Sequence, residues 1–72
     1  MPSPSIHQVV PETRRAYRRL DAAKYLDMSV SRLDELIRSG EIAARKDGKN
    51  VKIDRAELDR YFDSLPSYEP AS

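Results

Sequence analysis

From Leu20 onward the apolar positions fall into short periodic runs separated by turn chemistry. Leu20, Ala23 and Leu26 recur at i, i+3 and i+6 and predict a first helix containing residues 20–26. Its start is open: either Asp21 caps it, or it begins near Arg18 with Asp21 as an acid in the first turn. Asp27-Met28-Ser29 breaks the pattern. Ser29 is a good N-cap, because its hydroxyl accepts one of the unpaired N–H groups at a helix start. The helix that follows is predicted over residues 30–39, with Leu33, Leu36 and Ile37 as its apolar stripe. Gly40 stands just beyond it, where a left-handed residue ends a helix. Two helices joined by about three residues is the helix-turn-helix spacing.

The pattern then changes period. Asp47-Gly48 is a hairpin-turn signal, and Val51 and Ile53 alternate with Asn50 and Lys52 as in a half-buried strand. The partner strand, about 42–46, is less regular, so the expectation is a small two-stranded wing. Asp54 followed by Glu57 predicts a capping-box start to a last helix. Leu58, Tyr61, Phe62 and Leu65 repeat at i, i+3, i+4 and i+7 as its core-facing stripe, and Pro66 is its stop. The two aromatics at this spacing read as core rather than as base-stacking groups. Residues 1–13, with three prolines, read as a flexible N-terminal arm, and 66–72 as a flexible tail. The expected folded unit is 14–65, mainly α with a small β-hairpin, a winged helix-turn-helix.

Composition narrows the chemistry. A chain of 72 residues is expected to form one domain with a small core and a stability of roughly 3–5 kcal/mol. Cysteine is absent and the one histidine, His7, lies in the arm, where it is expected to be inert. Thiol catalysis, cysteine-based zinc sites and a serine–histidine–aspartate triad are therefore not expected, nor is a cofactor. No run of 18 apolar residues predicts a membrane span, and Met-Pro-Ser-Pro has neither the basic nor the apolar segment of a secretion signal, so a cytoplasmic location is expected. The net charge of +1 hides an asymmetry. Residues 14–55 hold twelve Lys/Arg and seven Asp/Glu, net +5, whereas 56–72 carry −3. A basic centre with an acidic end suggests a polyanion met by one surface.

Four segments then resemble a known family. Ala22-Ala23-Lys24-Tyr25-Leu26-Asp27-Met28-Ser29, Leu36-Ile37-Arg38-Ser39-Gly40-Glu41-Ile42, the wing Gly48-Lys49-Asn50-Val51-Lys52-Ile53, and the closing helix from Asp54 to Phe62 are similar to the excisionase and MerR-like winged-helix domains. The resemblance covers about 17–65 without a gap. The chain departs from that pattern at Asp27, where a turn glycine is usual, and at Val51, where the wing commonly has an aromatic. Arg18 replaces a frequent Thr cap, and Asp34 and Glu35 are acidic on the second helix. The nearest group within the family, the phage excisionases, implies a non-catalytic protein that binds attachment-site DNA, often cooperatively with other copies of itself, and bends it. That directs phage integrase toward excision from within the bacterial host's nucleoid.

The candidate DNA surface follows from the helical wheel. With Leu33, Leu36 and Ile37 inward, Ser31, Glu35 and Arg38 face outward, flanked by Arg32 and Asp34, with Val30 near the leading end. Arg32 would donate to guanine or phosphate, and Glu35 or Asp34 would accept from cytosine. The plainer reading makes Asp34–Arg38 and Arg32–Glu35 surface ion pairs one turn apart. Arg45, Lys46, Lys49, Asn50 and Lys52 are the wing's phosphate or minor-groove candidates. Arg18 and Arg19, with Arg14 and Arg15, either extend the footprint or merely solvate the first helix. Tyr25 is expected to pack, and Gly48 to serve the turn alone. A small transcription regulator of the same fold is the alternative, and an interaction module without DNA the rival from another class.

Overall fold

A computed structural model of the chain describes residues 14–70; the predicted arm, 1–13 with His7, lies outside the described residues. The chain runs β1 (Ala16–Arg18), α1 (Arg19–Tyr25), α2 (Val30–Arg38), β2 (Arg45–Asp47), β3 (Asn50–Asp54) and α3 (Arg55–Asp63). No helix or strand occupies 66–70.

The wing is larger than the sequence pattern predicts. β3 is the central strand of a three-stranded antiparallel sheet in the order β1-β3-β2, with Tyr17 opposite Ile53 and Arg45 opposite Lys52. β2 starts at Arg45 rather than at residue 42. Ile42 instead drops into the core, 1% exposed, and so cannot alternate in a strand. β1 itself, in the arginine-rich stretch before α1, is an addition.

α2 matches its expectation. The Ser29 hydroxyl accepts the Arg32 N–H at 3.0 Å, and Leu33 and Leu36 are buried. Gly40 ends it at φ +88° and Asp27 turns the chain between α1 and α2 at φ +56°. Glycine meets a left-handed backbone without strain, and aspartate tolerates one better than most residues. α1 begins after Arg18 with Asp21 in its first turn, the second of the two starts considered.

Three expectations fail. Leu20 does not face the core; it is 58% exposed, and the inward residues of α1 are Ala22 and Ala23. Small side chains there leave room for α2, while Tyr17 on β1 supplies the bulk that Leu20 was expected to give. The α3 stripe narrows to Leu58 and Tyr61, and Phe62 and Leu65 are exposed, because α3 ends at Asp63 and packs only its inner edge. The capping box does not form. Asp54 is the N-cap residue but makes no side-chain cap bond; Arg15 and Arg45 each approach its carboxylate to 3.6 Å. Glu57 turns outward to accept the Ala43 N–H at 2.9 Å and the Arg60 guanidinium at 2.8 Å. Arg60 also donates to the Glu41 carbonyl at 2.7 Å, so α3 holds the segment that leads into the wing.

The core is Tyr17, Ala22, Ala23, Leu33, Leu36, Ile42, Ile53, Leu58 and Tyr61, drawn from every element except β2. It fixes α2 and the β2–β3 hairpin on either side of the start of α1.

Candidate nucleic-acid interface

Two shallow concavities meet at the start of α1. One is lined by Arg19, Asp34, Ile37, Arg38 and Val51, the other by Arg18, Arg19, Leu20, Lys49, Asn50 and Val51. They share Arg19 and Val51 and so form one groove, running from the exposed side of α2 to the hairpin tip. Six of the sequence-predicted site residues border it: Arg18, Arg19, Asp34, Arg38, Lys49 and Asn50. Leu20, Ile37 and Val51 are the members that charge-based reasoning missed.

The arrangement on α2 follows from its buried stripe. At about 100° per residue, Ser31 and Arg38 stand opposite Leu33 and Leu36 and crest the helix. Asp34 lies on the flank toward the wing. Arg32 and Glu35 lie on the other flank, where Arg32 donates to Glu35 at 3.2 Å and feels the Tyr61 hydroxyl of α3. Val30 is not a free leading side chain; it packs partly against the core.

The expected Arg32–Glu35 pair is present, but Asp34 does not pair with Arg38. Arg19 takes it with two hydrogen bonds, Nε to Oδ1 at 2.8 Å and Nη2 to Oδ2 at 2.6 Å. These bonds hold the Asp34 carboxyl below the usual carboxylate range and raise Arg19 above the usual arginine value. Among the described residues Arg18, Lys24, Arg38, Lys46 and Lys49 have no ion pair within 4 Å. Three of these five cations, Arg18, Arg38 and Lys49, border the groove.

Arg45 and Lys52 sit elsewhere. The registers place Arg18, Lys52 and Arg45 in one row across the three strands. Side chains opposite one another in a ladder share a face, and Ile53, next to Lys52, is buried, so this row is on the outer side of the sheet, and of its three members only Arg18 also borders the groove. Lys52 pairs with Asp47 at 2.8 Å, and the bond lowers the Asp47 pKa. Arg45 lines a separate concavity with Ala43, Ala44, Asp54 and Glu57. Lys46 lies opposite Val51 and is exposed.

A second groove lies at the other end of α1, lined by Tyr25, Leu26, Asp27, Asp59, Phe62 and Asp63. Tyr25 packs, as expected, with its ring centroid 5.0 Å from that of Tyr17. Its hydroxyl donates to Asp59 at 2.6 Å, which raises the tyrosine pKa.

A recognition helix after a tight turn, with a basic hairpin across a shared groove, defines a winged helix-turn-helix domain. The helix-turn-helix domain family matches residues 21–66, and the chain belongs to that family, which includes excisionase-like DNA-binding proteins. The match leaves β1 outside it. No curated protein and no solved structure matches the chain at a significant level. Membership points to DNA as the partner. Among the described residues no helix is long and apolar enough to cross a membrane, and no group of acids and histidines is placed to hold a metal ion.

Proposed function

We propose that this chain is a non-catalytic, sequence-specific DNA-binding protein of the excisionase type. It binds attachment-site DNA together with further copies of itself, bends it, and so directs an integrase toward excision. One observation carries the DNA part of this reading: the crest of α2, the start of α1 and the hairpin tip present Arg38, Arg18, Arg19 and Lys49 to a single groove. An α-helix fits the major groove and a recognition helix reads base edges there. Arg38, at the crest and without an ion pair among the described residues, is the base-edge donor. Lys49 and Asn50 reach the adjacent backbone.

The excision role is supported by the resemblance of the four segments. Bending 20–30 base pairs by 40–90° costs of order 1–6 kcal/mol, more than one small domain offsets alone, so several copies act together.

Footprinting and gel-shift titration on an attachment region beside an integrase gene test the proposal. Regularly spaced protections, with mobility that depends on site position in permuted fragments, are the expected result. Protection of one site over a promoter would make the protein a transcription regulator of the same fold. No protection at low salt would leave an interaction module, because about six neutralised phosphates should give a roughly 10³-fold loss of affinity between 50 and 200 mM salt.

A further inference from the structure

An acid in a groove that receives a polyanion needs a reason, since Asp34 repels every phosphate that Arg38 and Lys49 attract. Its geometry gives one. Asp34 lies in the middle of α2 and Arg19 opens α1, and their fork-to-fork bonds of 2.8 and 2.6 Å bind one edge of the guanidinium. A guanidinium has five N–H donors in a rigid plane. Two are taken by Asp34, leaving three on Nη1 and Nη2. Two of those three lie side by side on the end edge, the spacing that matches a pair of acceptor oxygens. Both side chains are partly exposed, 44% for Arg19 and 32% for Asp34, and both line the groove. A long arginine tethered in this way gives up little further rotamer freedom when a second partner arrives.

We infer that Asp34 is a positioning residue that holds the Arg19 guanidinium with its free Nη edge open to a DNA phosphate at the seam between the recognition helix and the wing. The inference rests on the DNA-binding reading and deepens it. A phosphate is the assigned partner because the first helix of a helix-turn-helix crosses the backbone while the second enters the groove. Phosphate contacts fix register and orientation. Asp34 thereby contributes to specificity without touching a base, in place of the cytosine contact that its position on α2 suggested.

The sign of one substitution separates this from simple electrostatics. Removing a negative charge from a DNA-facing groove tightens binding to any duplex if charge alone matters. If Asp34 positions Arg19, Asp34→Asn frees the fork, so binding to random duplex tightens while binding to the cognate site weakens. The measurement is anisotropy titration of the full chain, checked for folding by circular dichroism. Its probes are two duplexes of about 30 base pairs, one with the footprinted sequence and one scrambled. The expected result is a loss of about 3–10-fold in the ratio of the two affinities. Arg19→Lys keeps the charge but not the fork, and lowers the ratio similarly with little change in salt slope. Arg19→Ala weakens both duplexes, lowers the ratio at least as far as Asp34→Asn without singling out any one base pair, and lowers the salt slope by about 1.

Equal tightening of both duplexes by Asp34→Asn, or an unchanged ratio, overturns the positioning role. Loss of preference at one base pair in Arg19→Ala overturns the phosphate assignment and makes the fork a guanine reader. If the wild-type chain binds neither duplex at about 50 mM salt, the DNA-binding reading itself fails, a result distinct from the other two.

Discussion

The two ends of α1 carry opposite chemistry. At its start, Arg18 and Arg19 join Arg38 and Lys49 around a groove whose one acid, Asp34, is tied to an arginine. At its finish, Asp27, Asp59 and Asp63 surround the exposed ring of Phe62 and the half-buried Leu26. None of these three acids has an ion pair among the described residues. The helix between them is seven residues long, so the two environments lie only about 9 Å apart along its axis. The net charge of +1 averages them away and says little about how the molecule meets a partner. The separation does: a polyanion is drawn to one end and turned from the other, which orients the domain before any base is read.

The largest test removes both ends together. Leu33 is fully buried beneath α2, and Leu33→Ala should cost about 2–5 kcal/mol, comparable with the whole stability of so small a domain. A thermal melt followed by circular dichroism should show a transition lost or displaced far downward. Next comes a substitution at the basic end alone. Arg38→Ala should leave the melt nearly unchanged but weaken cognate DNA by about 1–3 kcal/mol and relax preference at one base pair, measured by competition gel shift. A normal affinity would move base reading away from the crest of α2.

A third test separates the fold from the groove by pH. Arg60 and the Ala43 N–H hold the Glu57 carboxyl at about 2, below its ordinary 4.5. A folded-state value below the unfolded one stabilises the protein fully above pH 4.5, and that contribution is lost as pH falls toward 2. The side chain is one-fifth exposed, so solvent weakens the effect to roughly 1–2 kcal/mol. Denaturant titrations from pH 6 to 2 should show this decline, and Glu57→Gln should flatten it while lowering stability at neutral pH. The smallest effects belong to the acidic end. Phe62→Ala should change stability by less than about 0.5 kcal/mol, because the ring is 61% exposed. Asp63→Lys should raise DNA affinity by no more than about twofold at physiological salt, where charges beyond some 8 Å are screened. A large gain would mean that the acidic groove faces DNA after all.

The sequence is most legible where local chemistry decides the structure. Ser29, the Leu33–Leu36 stripe and Gly40 specify α2 through a cap, a periodicity and a terminator that all lie within a dozen residues. Arg38, Lys49 and Asn50 were readable as exposed polar positions, and they border one groove, for the same reason. β1 was not, because a three-residue strand has no period of its own and its partner lies far along the chain. Pattern also overstated burial. Leu20, Phe62 and Leu65 have the right spacing, but a domain this small has too little core to cover them. Long-range polar choices were equally hidden. Asp34 had Arg38 one turn away and bonds Arg19 instead, and Glu57 passed over the cap for Ala43, because both partners are supplied by elements that only the folded chain brings near.

The register of the sheet also sets an order of events. Ala16 pairs with Asp54, and the Arg55 N–H closes onto the Arg15 carbonyl at 2.9 Å. During synthesis β1 leaves the ribosome early and waits, unpaired, until β3 has been made. The α1–α2 pair forms from neighbours in sequence and so is ready sooner. A nascent chain that has not yet reached Asp54 therefore holds its recognition helix without the surface beside it. The surface that would grip a polyanion is complete only when β3, the last-made strand, joins β1, the first.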